Sequence, residues 1–205
     1  MKMKITAKPF LALLLSFVLF AAAAPKTFAG EPTAQVKQTV DEVINILNNK
    51  ELKKPENRQE RSAKIREVVN RRFDFAEMAK RALGVYWRQR TPEEQKEFVA
   101  LFSDLLEDTY IRKIERYEHE KVTYVGEAID GPYATVKTVI ITTKEVEIPV
   151  SYKIFKSGSK WEVYDVIVEG VSLVNNYRTQ FYQIIGSGSY ADLLKKLKAK
   201  VVKSP

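Results

Sequence analysis

Asp165 and Glu169 are the carboxylates whose spacing invites an acid–base reading, and His119 is the only histidine in the chain. On one strand, residues four apart lie about 13 Å from each other. A pair of carboxyls cooperating on a glycosidic bond needs roughly 5–9.5 Å, so Asp165 and Glu169 read instead as anchors of a strand-to-helix corner. His119 follows Arg116-Tyr117-Glu118 near a helix end, with no serine or cysteine nucleophile beside it, and reads as a surface residue. Cysteine is absent, which removes a thiol nucleophile, a disulfide framework and a cysteine metal site; one histidine does not make a metal site by itself. Gly186-Ser187-Gly188-Ser189 lacks the lysine and the preceding strand of a phosphate-binding loop, and reads as a turn between helices. No enzyme, metal or cofactor is expected.

The elements that carry these residues follow from periodicity. Val36, Val40, Val43, Ile44 and Leu47 form one face of a helix over Thr33 to Leu47, ended by Asn48-Asn49-Lys50. Asn57 to Asn70 reads as a second helix, separated from the first by Pro55. Asp74 and Glu77 have the form of a capping box for a short helix stopped at Gly84. Thr91-Pro92-Glu93-Glu94 is a stronger start: N-cap, proline at N1 and glutamate at N3. The helix it opens sets Phe98, Leu101, Phe102, Leu105, Thr109 and Tyr110 on one stripe, running to about Arg116.

After Glu120 the period changes to two. Val122 to Ile129, Tyr133 to Thr142, Glu145 to Phe155 and Lys160 to Val168 read as four strands with short turns, hence an antiparallel meander. In the third, Val146, Ile148, Val150, Tyr152 and Ile154 alternate with polar residues. Pairing across Ser157-Gly158-Ser159 sets Tyr152 near Tyr164 and Val150 near Val166. The contiguous Val139-Ile140-Ile141 leaves the inward face of the second strand open. Ser172 N-caps a helix with Leu173, Tyr177, Phe181 and Ile184 at helical spacing, and Ser189 caps a last helix carrying Leu193, Leu194 and Leu197. The fold class is therefore α+β, a four-stranded antiparallel sheet packed against helices. Such a layer makes either a packed core or a cleft lined by the same side chains.

Residues 1–29 read as a signal peptide, and residues 30–205 as a single domain. Lys2, Lys4 and Lys8 precede an apolar run from Phe10 to Ala24, about 22 Å as a helix and short of a roughly 30 Å hydrocarbon core. Thr27-Phe28-Ala29 offers a cleavage site, with Ala21-Ala22-Ala23 as second choice. The formal charge of +8 comes from 34 basic and 26 acidic residues. Removing Lys2, Lys4, Lys8 and Lys26 leaves 30 against 26, or +4. That mild excess suits an acidic partner or an anionic membrane surface, not a nucleic acid.

Trp161 with Val163-Tyr164-Asp165-Val166, then Glu169 to Val174, Asn176-Tyr177-Arg178 and Gln180-Phe181, resembles the signature of the MlaC (toluene-tolerance) family. The likeness extends more diffusely from about Thr33 to Val201. It implies a periplasmic phospholipid carrier shuttling lipid between outer and inner membrane, with an apolar cavity between sheet and helices. It also implies partners: an inner-membrane ABC transporter with an MCE-domain protein, and an outer-membrane lipoprotein–porin complex. Phospholipid would be cargo rather than cofactor. On the face assignments above, Leu83, Tyr86, Phe102, Leu105, Val150, Tyr152, Tyr164, Val166, Val171, Leu173, Tyr177 and Phe181 are expected to line the cavity. Arg88, Arg90 and Arg178 are the candidates for headgroup or partner contact. A monomer is expected, since a shuttle needs no second copy. The rival reading is a periplasmic interaction module whose apolar face receives a protein or peptide.

Overall fold

The computed structural model describes residues 30–202; the expected signal peptide lies outside the described residues. Helix α1 (Glu31–Asn48) starts at Gly30, which supplies no side-chain cap. Glu127, 94 residues beyond Thr33, does so instead, accepting from the Thr33 amide at 2.7 Å and from the Thr33 hydroxyl. A carboxylate at a helix N-terminus answers both its unpaired amides and its dipole. Helix α2 (Arg58–Asn70) packs beside α1. Helix α3 (Phe75–Leu83) is capped by Asp74, which accepts from the Glu77 amide, and stops at Gly84, whose φ of 54° suits glycine. Helix α4 (Pro92–Ile114) opens with the expected capping box between Thr91 and Glu94.

The sheet is an antiparallel meander of β1 (Lys121–Asp130), β2 (Tyr133–Ile141), β3 (Glu147–Ser157), β4 (Lys160–Val168) and β5 (Val171–Ser172). It has five strands rather than the expected four. Glu169 and Gly170, at φ 50° and 81°, form a two-residue turn that folds Val171 and Ser172 back on β4. Positive φ at both positions is the geometry of a tight hairpin, so a glycine taken only as a break also makes an edge strand. Helix α5 (Leu173–Ser187) follows, capped by Ser172, and α6 (Tyr190–Val202) is capped by Ser189, which accepts from the Asp192 amide at 3.1 Å.

The β3–β4 register also departs from expectation. Near the turn, Phe155 pairs with Glu162 and Ile154 with Val163; past a bulge, Lys153 pairs with Asp165 and Tyr152 with Val166. One extra residue in a strand flips the alternation that follows. Trp161 and Val163 therefore point inward, and Val166 and Val168 do so again after the bulge. Tyr164, the extra residue, packs on Tyr133 and Phe155 and lies under the Arg81 guanidinium at 4.1 Å. At the bulge, residues 72–74 run parallel to β4: Val163 donates to the Arg72 carbonyl at 2.8 Å, and Asp74 to the Val163 carbonyl at 2.9 Å.

Two main packing regions result. The larger joins α3, α4, α5 and α6 around Phe98, Phe102, Tyr177 and Phe181. The other lies where α1 crosses the sheet, over Val36, Val136, Ile154, Trp161 and Val163.

Candidate functional site

A cavity of about 550 Å³ lies between the sheet and the helices that cross it. That size is within the roughly 300–1,000 Å³ of sites that hold small organic ligands. From α1 come Val36, Thr39, Val40, Val43, Ile44 and Leu47. Helix α4 contributes Leu106, Tyr110, Ile111 and Ile114 from its last turns, because its stripe rotates along its length. Phe98, Phe102 and Leu105 face the other helices, and the residues one to two turns on face the cavity. The sheet supplies Val122, Ile140, Ile148, Val150, Tyr152, Val163, Val166 and Val168.

The two ends of this space differ. At one, Ala134, Ile154, Trp161 and Val163 are all buried under Val36. Arg72 closes the same end: its guanidinium donates to Thr39 Oγ1 at 3.1 Å, to Gln35 and to the Trp161 carbonyl at 2.7 Å. Burial pulls the Arg72 pKa below its ordinary value, with Glu162 and Glu42 opposing. At the other end Val122, Ile140, Ile148 and Val168 are only half-buried. That end carries Lys113, Arg116 and Glu120 at its edge.

Burial keeps the Tyr110 and Tyr152 hydroxyls of the lining in their neutral form. Burial raises Tyr152, against a hydrogen bond with Thr138 that lowers it, and raises Tyr110 to about 12. Thr138, almost wholly buried, spends its own hydroxyl proton on the Val150 carbonyl at 3.1 Å. Burial likewise raises Glu107, against a hydrogen bond from Asn70 and the charge of Arg66, whose Nε stands 3.1 Å away. What these groups can do together is shelter apolar chains from water.

Of the residues expected in the wall, Val150, Tyr152, Val166 and Leu173 line the cavity. Leu83, Phe102, Leu105, Tyr177 and Phe181 belong to the helical core, and Tyr86 packs against it, edge-on to Tyr182 at 5.1 Å. They fill space with one another: the Phe102 ring stands edge-on to Tyr177 at 5.3 Å and to Phe181 at 5.5 Å. Tyr164 was carried to the other face of the sheet by the bulge, and Val171 is 60% exposed on the edge strand.

The three expected arginines also stand away from the cavity lining. Arg178 Nε donates to the Arg81 carbonyl at 2.8 Å and ties α5 to α3. Arg90 lies over the Tyr190 ring at 4.5 Å, near Glu94. Arg88 is exposed on the 3₁₀ turn Gly84–Gln89. Sequence reasoning missed the α1 face as a wall, although its run of valines and isoleucine without an aromatic was visible.

Of the residues read for chemistry, only Asp165 is placed as an anchor; Glu169 is exposed in the turn between β4 and β5. Asp165 accepts from Ser172 Oγ at 2.6 Å and from the Val174 amide at 3.0 Å, holding the corner between β4 and α5. His119 is exposed beside Tyr117. Among the described residues no cluster of three or more histidine, cysteine or acidic side chains is placed to hold a metal, and no helix is long and apolar enough to cross a membrane.

The sequence model of the MlaC protein family matches residues 37–199. The chain is 22% identical over 191 residues to the intermembrane phospholipid transport system binding protein MlaC of Haemophilus influenzae, covering 90% of this chain and 89% of that one. It is 30% identical over 97 residues to the toluene tolerance protein ttg2D of Pseudomonas putida, 47% of this chain and 45% of that one. Among solved structures, a phospholipid-binding protein from Ralstonia solanacearum, in complex with a phospholipid, superposes with a TM-score of 0.76 at 26% identity. It covers 85% of this chain and 98% of that one.

Proposed function

The chain belongs to the MlaC protein family, and on that premise we propose that it carries phospholipid, with the acyl tails in the cavity between α1, α4 and the sheet. The observation that carries this reading is the cavity itself: about 550 Å³ bounded by valine, isoleucine and leucine from three sides. The phospholipid complex of the similar Ralstonia protein supports it.

The energetics suit a carrier. At about 0.8 kcal/mol per methylene, exposing some thirty methylenes to water costs on the order of 20 kcal/mol. A cavity exchanges one apolar surrounding for another, so transfer from a bilayer lies near zero while escape into water stays closed. The carrier therefore does not set a direction. In the proposal the direction comes from partners: an inner-membrane ABC transporter with an MCE-domain protein, and an outer-membrane lipoprotein–porin complex. The compartment is the periplasm, reached after cleavage of residues 1–29, and the working unit is the single domain from residue 30 onward, acting as a monomer and without catalysis.

Lipid extraction from the purified protein, followed by mass spectrometry, tests this. Co-eluting phospholipid is the expected result. A protein that emerges empty and binds a periplasmic peptide instead would make the interaction module the better reading.

A further inference from the structure

We propose that Lys113 and Arg116 hold the phosphate of the cargo at the corner between α4 and β1, so that lipid enters in one orientation with its tails toward Trp161. The proposal rests on the carrier reading and adds to it the residues that fix which end of the lipid stays outside. Burial along the cavity sets the direction: it is closed at Trp161 and only half-covered at Val122 and Val168.

Charge then selects the corner. The charged residues that line the cavity include two with commitments elsewhere. Arg72 is spent on Gln35, Thr39 and the Trp161 carbonyl, and Glu107 faces Arg66. Lys113 and Arg116 are both exposed and both at the cavity edge. The Arg116 amide donates to the Lys113 carbonyl at 3.2 Å, so the two side chains leave adjacent steps of one tight turn. Lys113 Nζ lies 5.0 Å from the centre of the Tyr110 ring, itself part of the lining, which keeps the ammonium beside the cavity wall.

Glu120, the acid at the same edge, is turned into its own loop, where it accepts from the Glu118 amide at 2.7 Å. An ammonium beside a guanidinium fork is the donor set a phosphodiester takes. Neither cation lies among the arginines read from sequence. Those stand on or beside the helical core, whereas this pair follows from where α4 ends.

The test is uptake by the lipid-depleted mature protein from phosphatidylcholine vesicles, whose neutral surface removes general attraction of cations to a membrane. The vesicles carry tracer phosphatidylcholine or tracer diacylglycerol with the same tails. The wild type should favour the phospholipid over diacylglycerol by about tenfold, a difference the size of one charge-assisted contact. The double variant Lys113→Ser, Arg116→Ser should keep its uptake of diacylglycerol and lose most of that preference. Exchanging the two cations (Lys113→Arg, Arg116→Lys) should restore it, and Lys195→Ser, Lys196→Ser on α6 should leave it intact.

An unchanged preference in the double variant overturns the proposal and spares the carrier reading. Inorganic phosphate that binds the wild type but not the double variant, and leaves phospholipid uptake unchanged, overturns it too, since the corner would then be a site for free phosphate. A wild type that loads neither tracer sinks the carrier reading and this inference with it.

Discussion

The helical half and the sheet half of this protein both bury apolar side chains and do opposite things with them. Around Phe98, Phe102, Tyr177 and Phe181 the rings meet edge to face at 5.3–5.6 Å and leave nothing between them. Under α1 and the end of α4, the β-branched residues Val40, Val43, Ile44, Val150, Val166 and Val168 face one another across a gap. A flat ring reaches far enough to fill the space between two helices. A short branched side chain stops near its own backbone. Side-chain reach is one difference between the aromatic core and this stretch of wall.

That contrast can be broken most severely from the sheet side. Val166→Trp places a large ring in the gap and should remove all co-purifying phospholipid, while circular dichroism and a thermal melt show a folded protein. Val150→Trp should do the same. Unchanged lipid in either variant takes that residue out of the wall.

Phe102→Ala sharpens the contrast from the other side. It opens a hole in a filled core and should cost about 3–5 kcal/mol of stability in denaturant titration, with lipid per folded molecule unchanged. Lipid lost in proportion beyond the unfolded fraction would mean that the helical core also contacts the cargo.

The smallest effect concerns what holds the end of α4 over the cavity. Burial pushes the Glu115 pKa up, but the Ser62 hydroxyl at 2.6 Å, Arg61 and Arg58 outweigh it and hold the carboxyl below its ordinary value. A depressed carboxylate contributes stability that is present above the ordinary carboxylate range, near pH 4.3, and is lost as pH falls through the folded-state value. Glu115→Gln should lower Tm at pH 7 by roughly 2–4 °C. The gap between variant and wild type should close on acidification below about pH 4. A gap of constant size would place the effect in packing rather than charge.

Much of the frame was legible because its signals are local. The capping box of Thr91 and Glu94, the caps at Asp74, Ser172 and Ser189, and the alternation of Ile148, Val150, Tyr152 and Ile154 each need only a few neighbouring residues. What stayed hidden depends on segments that meet only in the fold. The bulge at Tyr164 coincides with pairing to residues 72–74, far away in the chain. The inward face of β2, set by Ala134, Val136 and Thr138, is decided by β3 and α1 and not by Val139-Ile140-Ile141. Phe102, Tyr177 and Phe181 look like wall residues in a one-dimensional stripe, because periodicity reports that a face is apolar and not what lies opposite it.

Mapping where the tails rest tests the central claim most directly. A phospholipid bearing a diazirine near the end of one acyl chain, loaded and photolysed, should label peptides of α1, β3 and β4 that contain Val36, Tyr152 and Val163. Label concentrated instead on Phe102, Tyr177 and Phe181 would contradict the account.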